Sequence, residues 1–189
     1  MKKMVINSLY NTLIDKEDAI PLSTMLEIER IRKSGNKFVV LTNRSAEELA
    51  FYNRDFPFID YIIAFNGNYV LDVENNKCLL DSKLREADIE LINNDYIKSS
   101  LFVYNKKTYL EITSAKSNNC KAAELLMRLE EIKKTDVTAI LGNDSEIDLL
   151  RHIKNSYVVS NAKEIKKIST NKTKSNNAKG SENIIKKIQ

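Results

Sequence analysis

Residues 4–14, Met4-Val5-Ile6-Asn7-Ser8-Leu9-Tyr10-Asn11-Thr12-Leu13-Ile14, decide how the rest of the chain is read. Met4 to Leu9 is mostly apolar, carries the β-branched Val5 and Ile6, and is bounded by Asn11-Thr12, so it predicts a buried strand ending in a loop. From Leu22 to Lys33, apolar Leu22, Met25, Leu26, Ile28 and Ile31 recur at three- and four-residue spacing, with Gly35 placed as a C-cap. That is an amphipathic helix. Lys37 to Leu41 is a second buried strand, and Ser45 with Glu48 makes a capping box for another helix. Two apolar strands joined by a helical crossover of this length are parallel neighbours, because a hairpin needs a far shorter link.

Working outward, Tyr61 to Phe65 gives a third strand. Asn66-Gly67 and Asn75-Asn76 mark tight turns around a local hairpin of Tyr69 to Val73 with Lys77 to Leu80. The rhythm then changes: a helix at about Arg85 to Tyr96 and strands Leu101 to Tyr104 and Tyr109 to Thr113 read as a small inserted α+β module over 81–113. Alternation resumes with a helix Asn119 to Lys133, a strand Val137 to Leu141, a helix opening near Asp144, a strand Tyr157 to Val159 and a last helix Ser181 to Ile188. The sum is an α/β fold: a doubly wound parallel sheet with helices on both faces, its core formed by 1–80 and 114–189.

The chain has 189 residues, 42% hydrophobic and 30% charged, which suits one globular core. No apolar run approaches the about 20 residues that span a bilayer, so neither membrane insertion nor secretion is expected, and the location read from the sequence is cytoplasmic. Cys78 and Cys120 are too few for a disulfide framework or a four-cysteine zinc site, and buried, reduced thiols are expected. Thirty basic against 26 acidic side chains leave +4, a slight excess concentrated late in the chain, from Lys163 to Lys187. Without interleaved aromatics this reads as a solvated basic face rather than a nucleic-acid groove.

In an open parallel sheet, ligands bind beyond the carboxyl ends of the strands. The residues there are Ser8, Tyr10, Asn11 and Thr12 after the first strand, Thr42, Asn43 and Arg44 after the second, and Asn143, Asp144 and Asp148 after the strand ending at Leu141. Lys121, opening the helix after the insertion, points to the same crevice. This ordered set resembles the haloacid dehalogenase (HAD) superfamily, specifically Cof-type phosphatases with an α+β cap. Leu9-Tyr10-Asn11-Thr12-Leu13-Ile14 matches the family's Asp-x-Asp-Gly-Thr-Leu loop, and Leu41-Thr42-Asn43-Arg44-Ser45 its Thr-Gly-Arg. Ile63 to Val70, Lys121-Ala122-Ala123, Gly142 to Asp148, Ser160-Asn161-Ala162 and Thr173 to Asn177 follow in family order, Gly142 to Asp148 against a Gly-Asp-x-x-Asn-Asp metal motif.

The resemblance implies a HAD-like Rossmannoid core whose first aspartate attacks phosphorus and whose second protonates the leaving oxygen and activates water. Those two places hold Ser8 and Tyr10. Losing a nucleophile costs on the order of a millionfold in turnover, about 8 kcal/mol of barrier, so ordinary phosphatase activity is expected to be negligible. The implied Mg²⁺ site keeps Asp144 and Asp148 with the Ser8 hydroxyl and the Tyr10 backbone carbonyl, a weakened set. Asn11, Thr42, Asn43 and Lys121 are its implied phosphate contacts, with Lys121 at the family's catalytic lysine. In the structural reading, Asp144 caps its helix, Asp148 pairs with Lys121 and Thr42 is a cap.

Three functions are carried forward. The first is a catalytically impaired phosphatase-like protein, a monomer or homodimer, that binds a phosphorylated small molecule or a protein partner under a cap too small to cover the crevice. The second is a weak or unconventional Mg²⁺-dependent phosphohydrolase using Ser8, Asp144 or a shifted Asp15. The third is a nucleic-acid binder acting through the basic end.

Overall fold

Alternation along the strands sorts the side chains into two cores, one on each face of a single sheet. Met4 and Ile6 fall in one buried cluster and Val5 in the other; Val39 and Leu41 join the first, Phe38 and Val40 the second. This period-two division on both faces is what a sheet covered on both sides requires. In the computed structural model, residues 1–14, 17, 19–43, 58–82, 97–104, 107–114 and 118–189 are described. The predicted helices opening at Ser45 and covering 85–96, together with Asp15 and Arg44, lie outside them.

The strands are β1 (Met4–Ser8), β2 (Lys37–Leu41), β3 (Tyr61–Ala64), β4 (Tyr69–Asp72), β5 (Lys77–Asp81), β8 (Val137–Leu141), β9 (Ser156–Val159) and β10 (Lys172–Thr173), arranged β10-β9-β8-β1-β2-β3-β4-β5. Pairing is parallel from β10 through β3, and antiparallel from β3 to β4 and from β4 to β5. The predicted doubly wound sheet is therefore present, and the predicted local hairpin is its antiparallel edge rather than a separate unit. A second sheet pairs β6 (Ile97–Tyr104) with β7 (Lys107–Ser114), Ile97 opposite Ser114 and Tyr104 opposite Lys107.

Helix α1 (Leu22–Lys33) covers one face through Ile28 and Ile31, both fully buried, against Ile184 and Ile185 of α5 (Gly180–Ile185). Each such isoleucine contributes about 2 kcal/mol of burial. Helix α2 (Asn119–Leu129) lays Ala122, Ala123, Leu126 and Met127 on the other face, beside Leu149 and Leu150 of α3 (Ile147–His152) and Ile165 of α4 (Ile165–Ile168). α2 stops at Leu129, short of the predicted Lys133, because Glu131 turns left-handed (φ 55°) and the Glu130 carboxylate binds Lys2 and the Tyr61 hydroxyl.

Cys78 is exposed on the edge strand β5 and Cys120 is half-buried, neither in a disulfide; the edge position leaves Cys78 without the burial expected of it. Among the described residues no helix is long and apolar enough to cross a membrane.

Candidate functional site

Parallel register brings the ends of β2, β1 and β8 together, with Ser8 opposite Leu41 and Asn7 opposite Ile140. The chain leaves β1 in one wide turn, Leu9–Leu13, closed by Ile14 N–H donating to the Leu9 carbonyl at 3.0 Å. Asn11 sits left-handed within it at φ 59°, a conformation asparagine tolerates better than other side chains with a Cβ.

Facing this turn, the loop after β8 folds a carboxylate inward. Glu146 is 1% exposed, and its Oε2 accepts from Ser8 Oγ at 2.7 Å and from the backbone N–H groups of Gly142 and Asn143 at 3.0 Å each. Its Oε1 accepts from Asn143 Nδ2 at 2.9 Å. Burial pushes the Glu146 carboxyl above the usual carboxylate range, and the hydrogen bonds from Asn143, Ser8 and Gly142 offset part of that push.

Asparagines stitch the remaining loops together. Asn11 Nδ2 donates to Asn143 Oδ1 at 3.2 Å, Asn143 Nδ2 to the Tyr10 carbonyl at 3.4 Å, and Asn161 Nδ2 to the Asn11 carbonyl at 2.9 Å. Asn176 reaches back to the Ile14 carbonyl at 3.0 Å, and Ser181 Oγ to the Thr12 carbonyl at 3.1 Å. Asn43 Nδ2 meets Ser145 Oγ at 3.3 Å, joining the β2 loop to the β8 loop. Gly142 lets these loops close, since a Cβ there would stand 2.3 Å from Thr12 Oγ1.

Of the residues singled out from sequence, Ser8, Tyr10 and Asn11 thus share one network, centred on Asn143 and Glu146, and Asn43 reaches its edge. Thr42 is 3% exposed, its N–H held by the Ile63 carbonyl at 2.9 Å. Lys121 lies in the first turn of α2, where Asn118 caps its N–H at 3.0 Å and the Gly67 turn packs hard against Asn118. Asp144 is directed to α4, accepting the Ile165 N–H at 2.8 Å, and Asp148 is exposed in the first turn of α3. In the basic end, Lys166 binds the Ser160 carbonyl, Lys167 pairs with Glu164, and Lys179 and Lys186 pair with Glu182.

A family model described as haloacid dehalogenase-like hydrolase matches residues 9–100 and 90–185. The chain belongs to this family. No curated protein sequence matches it. Its fold is that of solved HAD structures of the Cof type. It is similar to a haloacid dehalogenase-like hydrolase from Bacteroides thetaiotaomicron at TM-score 0.84 and 13% identity over all of both chains. The HAD phosphatase BT1666 from the same organism aligns at TM-score 0.80 and 14% identity over 98% of this chain and 94% of its own. TM0651 from Thermotoga maritima gives 0.80 and 16% over 100% and 98%.

Counting from Gly142 along Gly-Asp-x-x-Asn-Asp, the two aspartate places fall on Asn143 and Ile147, and the asparagine place falls on Glu146. The sequence expectation names Asp144 and Asp148, whereas the carboxylate inside the network is Glu146, the residue that a count from the glycine reaches.

Phosphotransferases of the HAD superfamily generally use Mg²⁺. The residues present do not fit that ion. Mg²⁺ wants several carboxylate or carbonyl oxygens in octahedral array, whereas the Ser8 hydroxyl donates to Glu146, an amide NH₂ points at the Tyr10 carbonyl, and Asp144 caps a helix. No group of three or more His, Cys, Asp or Glu side chains able to hold a metal occurs among the described residues.

Proposed function

We propose that this HAD-family chain keeps the phosphatase scaffold without phosphatase turnover and acts by binding, its ligand a phosphorylated small molecule or a partner protein. The observation that carries the reading is the Ser8–Glu146 hydrogen bond. Where the family pattern supplies an attacking carboxylate, this chain has a fully buried hydroxyl whose proton is already engaged. Tyr10 supplies a phenol in place of the second acid, and a phenol of ordinary pKa near 10 is no carboxylate base at neutral pH. The Mg²⁺ site that the resemblance implies is weakened to the point of misfit, since serine, asparagine and isoleucine stand at its three carboxylate places and an amide NH₂ occupies the Tyr10 carbonyl. Asn11, Thr42, Asn43 and Lys121 remain the candidate phosphate contacts. That Lys166, Lys167, Lys179 and Lys186 are engaged within the chain favours this reading over a nucleic-acid groove at the basic end.

The test is hydrolysis of p-nitrophenyl phosphate with 10-fold excess Mg²⁺ over protein, varied in the same series to Mn²⁺ and to chelator. The expected rate is that of buffer alone under all three conditions. A metal-dependent rate would overturn the reading.

The 2.7 Å Ser8–Glu146 contact also favours a second, enzymatic reading. Glu146 takes the Ser8 proton as Ser8 Oγ forms a bond to phosphorus, the ester oxygen departs with a proton from solvent, and water then hydrolyses the phosphoserine. Full burial of Ser8 places it second. Its signature is a covalently phosphorylated protein, lost in Ser8→Ala and in Glu146→Gln.

A further inference from the structure

We propose that the pocket beyond β1 has exchanged its acid: the cradle made by Ser8 Oγ, Asn143 Nδ2 and the Gly142 and Asn143 N–H groups is a carboxylate site, filled from within by Glu146. The inference deepens the reading of a non-hydrolysing site and rests on it, but its tests read stability and ion binding rather than turnover.

Four donors converge on one side chain, between 2.7 and 3.0 Å. Two are backbone amides, so their positions are fixed by the loop and not by rotamer choice, and such paired N–H groups favour an anion. Among the described residues, nothing that hydrogen-bonds Glu146 is a cation. Hydrogen bonds alone therefore offset part of the cost of burying this acid. Position 8 and position 146 are alternatives for the same charge. An aspartate at 8 would set a second carboxylate within about 3 Å of Glu146, a spacing at which both do not ionise without a bridging cation. The family pattern answers this with aspartate at the first place and asparagine at the second. Here serine and glutamate answer it the other way round, and the aspartate places at 143 and 147 have become Asn and Ile.

It follows that returning aspartate to positions 8 and 10 does not by itself rebuild the site. The experiment compares Ser8→Asp in the native background and in Glu146→Gln, which keeps the side-chain shape. The expected result is a melting temperature lowered by about 5 °C or more in the first and lowered much less, or raised, in the second. Equal shifts in the two backgrounds would overturn the proposal. A second arm uses Glu146→Ala with sodium formate as the probe. Formate is expected to raise its melting temperature, or to yield folded protein where none forms without it, beyond sodium chloride at equal ionic strength and with no such excess for the native chain. Formate acting no better than chloride would count against a carboxylate cradle. In calorimetry, Mg²⁺ binding is expected only when Ser8→Asp and Tyr10→Asp are combined with Asn143→Asp and Glu146→Asn; binding by the first pair alone would also overturn it. Hydrolysis by the native chain would sink the parent reading and leave these comparisons standing.

Discussion

Arg32 holds both oxygens of Asp60, Nε to Oδ2 at 2.8 Å and Nη2 to Oδ1 at 3.0 Å, and the same Oδ2 takes the Phe38 N–H at 2.8 Å. One carboxylate, 7% exposed, therefore ties the end of α1 to the start of β2 and to the segment entering β3. Asp60→Ala leaves the Phe38 amide and the guanidinium without it, and the expected loss is about 2–4 kcal/mol. Arg32→Lys keeps a charge but gives up the two-point grip, at an expected cost of about 1 kcal/mol. Urea unfolding of both variants measures the difference.

Glu182 governs the acid limb of stability. Burial raises its carboxyl, but hydrogen bonds from Lys186 and Ser23 and the charge of Lys179 outweigh that and hold it at about 2, against an ordinary 4.5. A depressed folded pKa stabilises fully above 4.5, and that contribution is lost as pH falls toward about 2. The stability gap between the native chain and Glu182→Gln is expected to close over that interval and to stay constant above it, read by denaturation at stepped pH.

Glu146 has the opposite sign. Its folded pKa lies above 4.5, chiefly through burial, so its contribution is fully present below 4.5 and falls away as pH rises through the raised value. The advantage of the native chain over Glu146→Gln is therefore expected to be greatest near pH 4 and to shrink above it. Glu182 is common to both proteins and cancels. A gap that widened with pH would contradict the burial of this acid.

Gly35 and Gly67 share a φ of 84°, yet substitution separates them. A Cβ at Gly35 meets nothing within 4 Å, so Gly35→Ala is expected to cost only the left-handed strain, about 1 kcal/mol. At Gly67 it would stand 2.1 Å from the Asn118 carbonyl carbon, and the turn after β3 would have to part from the start of α2. A loss of about 3 kcal/mol or more is expected, measured by thermal unfolding.

Periodicity placed most of the core correctly. α1, β2 and β8 carry the ranges read for them because their apolar spacing is unbroken and their ends are marked by Gly35, Asn36 or Gly142. The two-residue β10 and the one-turn α4 were not legible, since each is held by partners distant in sequence: β10 by β9, α4 by the Asp144 carboxylate. The antiparallel edge looks local in sequence because it is the pairing of β3 with β4, from Tyr61 with Asp72 to Ala64 with Tyr69, that makes β4 part of the main sheet. In the site, the residues at positions 8 and 10, serine and tyrosine, are legible from sequence alone. Glu146 is marked in the sequence only by its distance from Gly142, and its burial shows only once four donors enclose it.

The last stretch of chain fastens the first loop. Asn176 and Ser181 hold carbonyls of the turn after β1, Glu182 takes the Ser23 and Thr24 hydroxyls, and Arg30 binds the Ile185 and Ile188 carbonyls. The turn after β1 therefore closes through partners 162 and 169 positions away, and contacts of that separation form late in folding, after the nearer strands have paired.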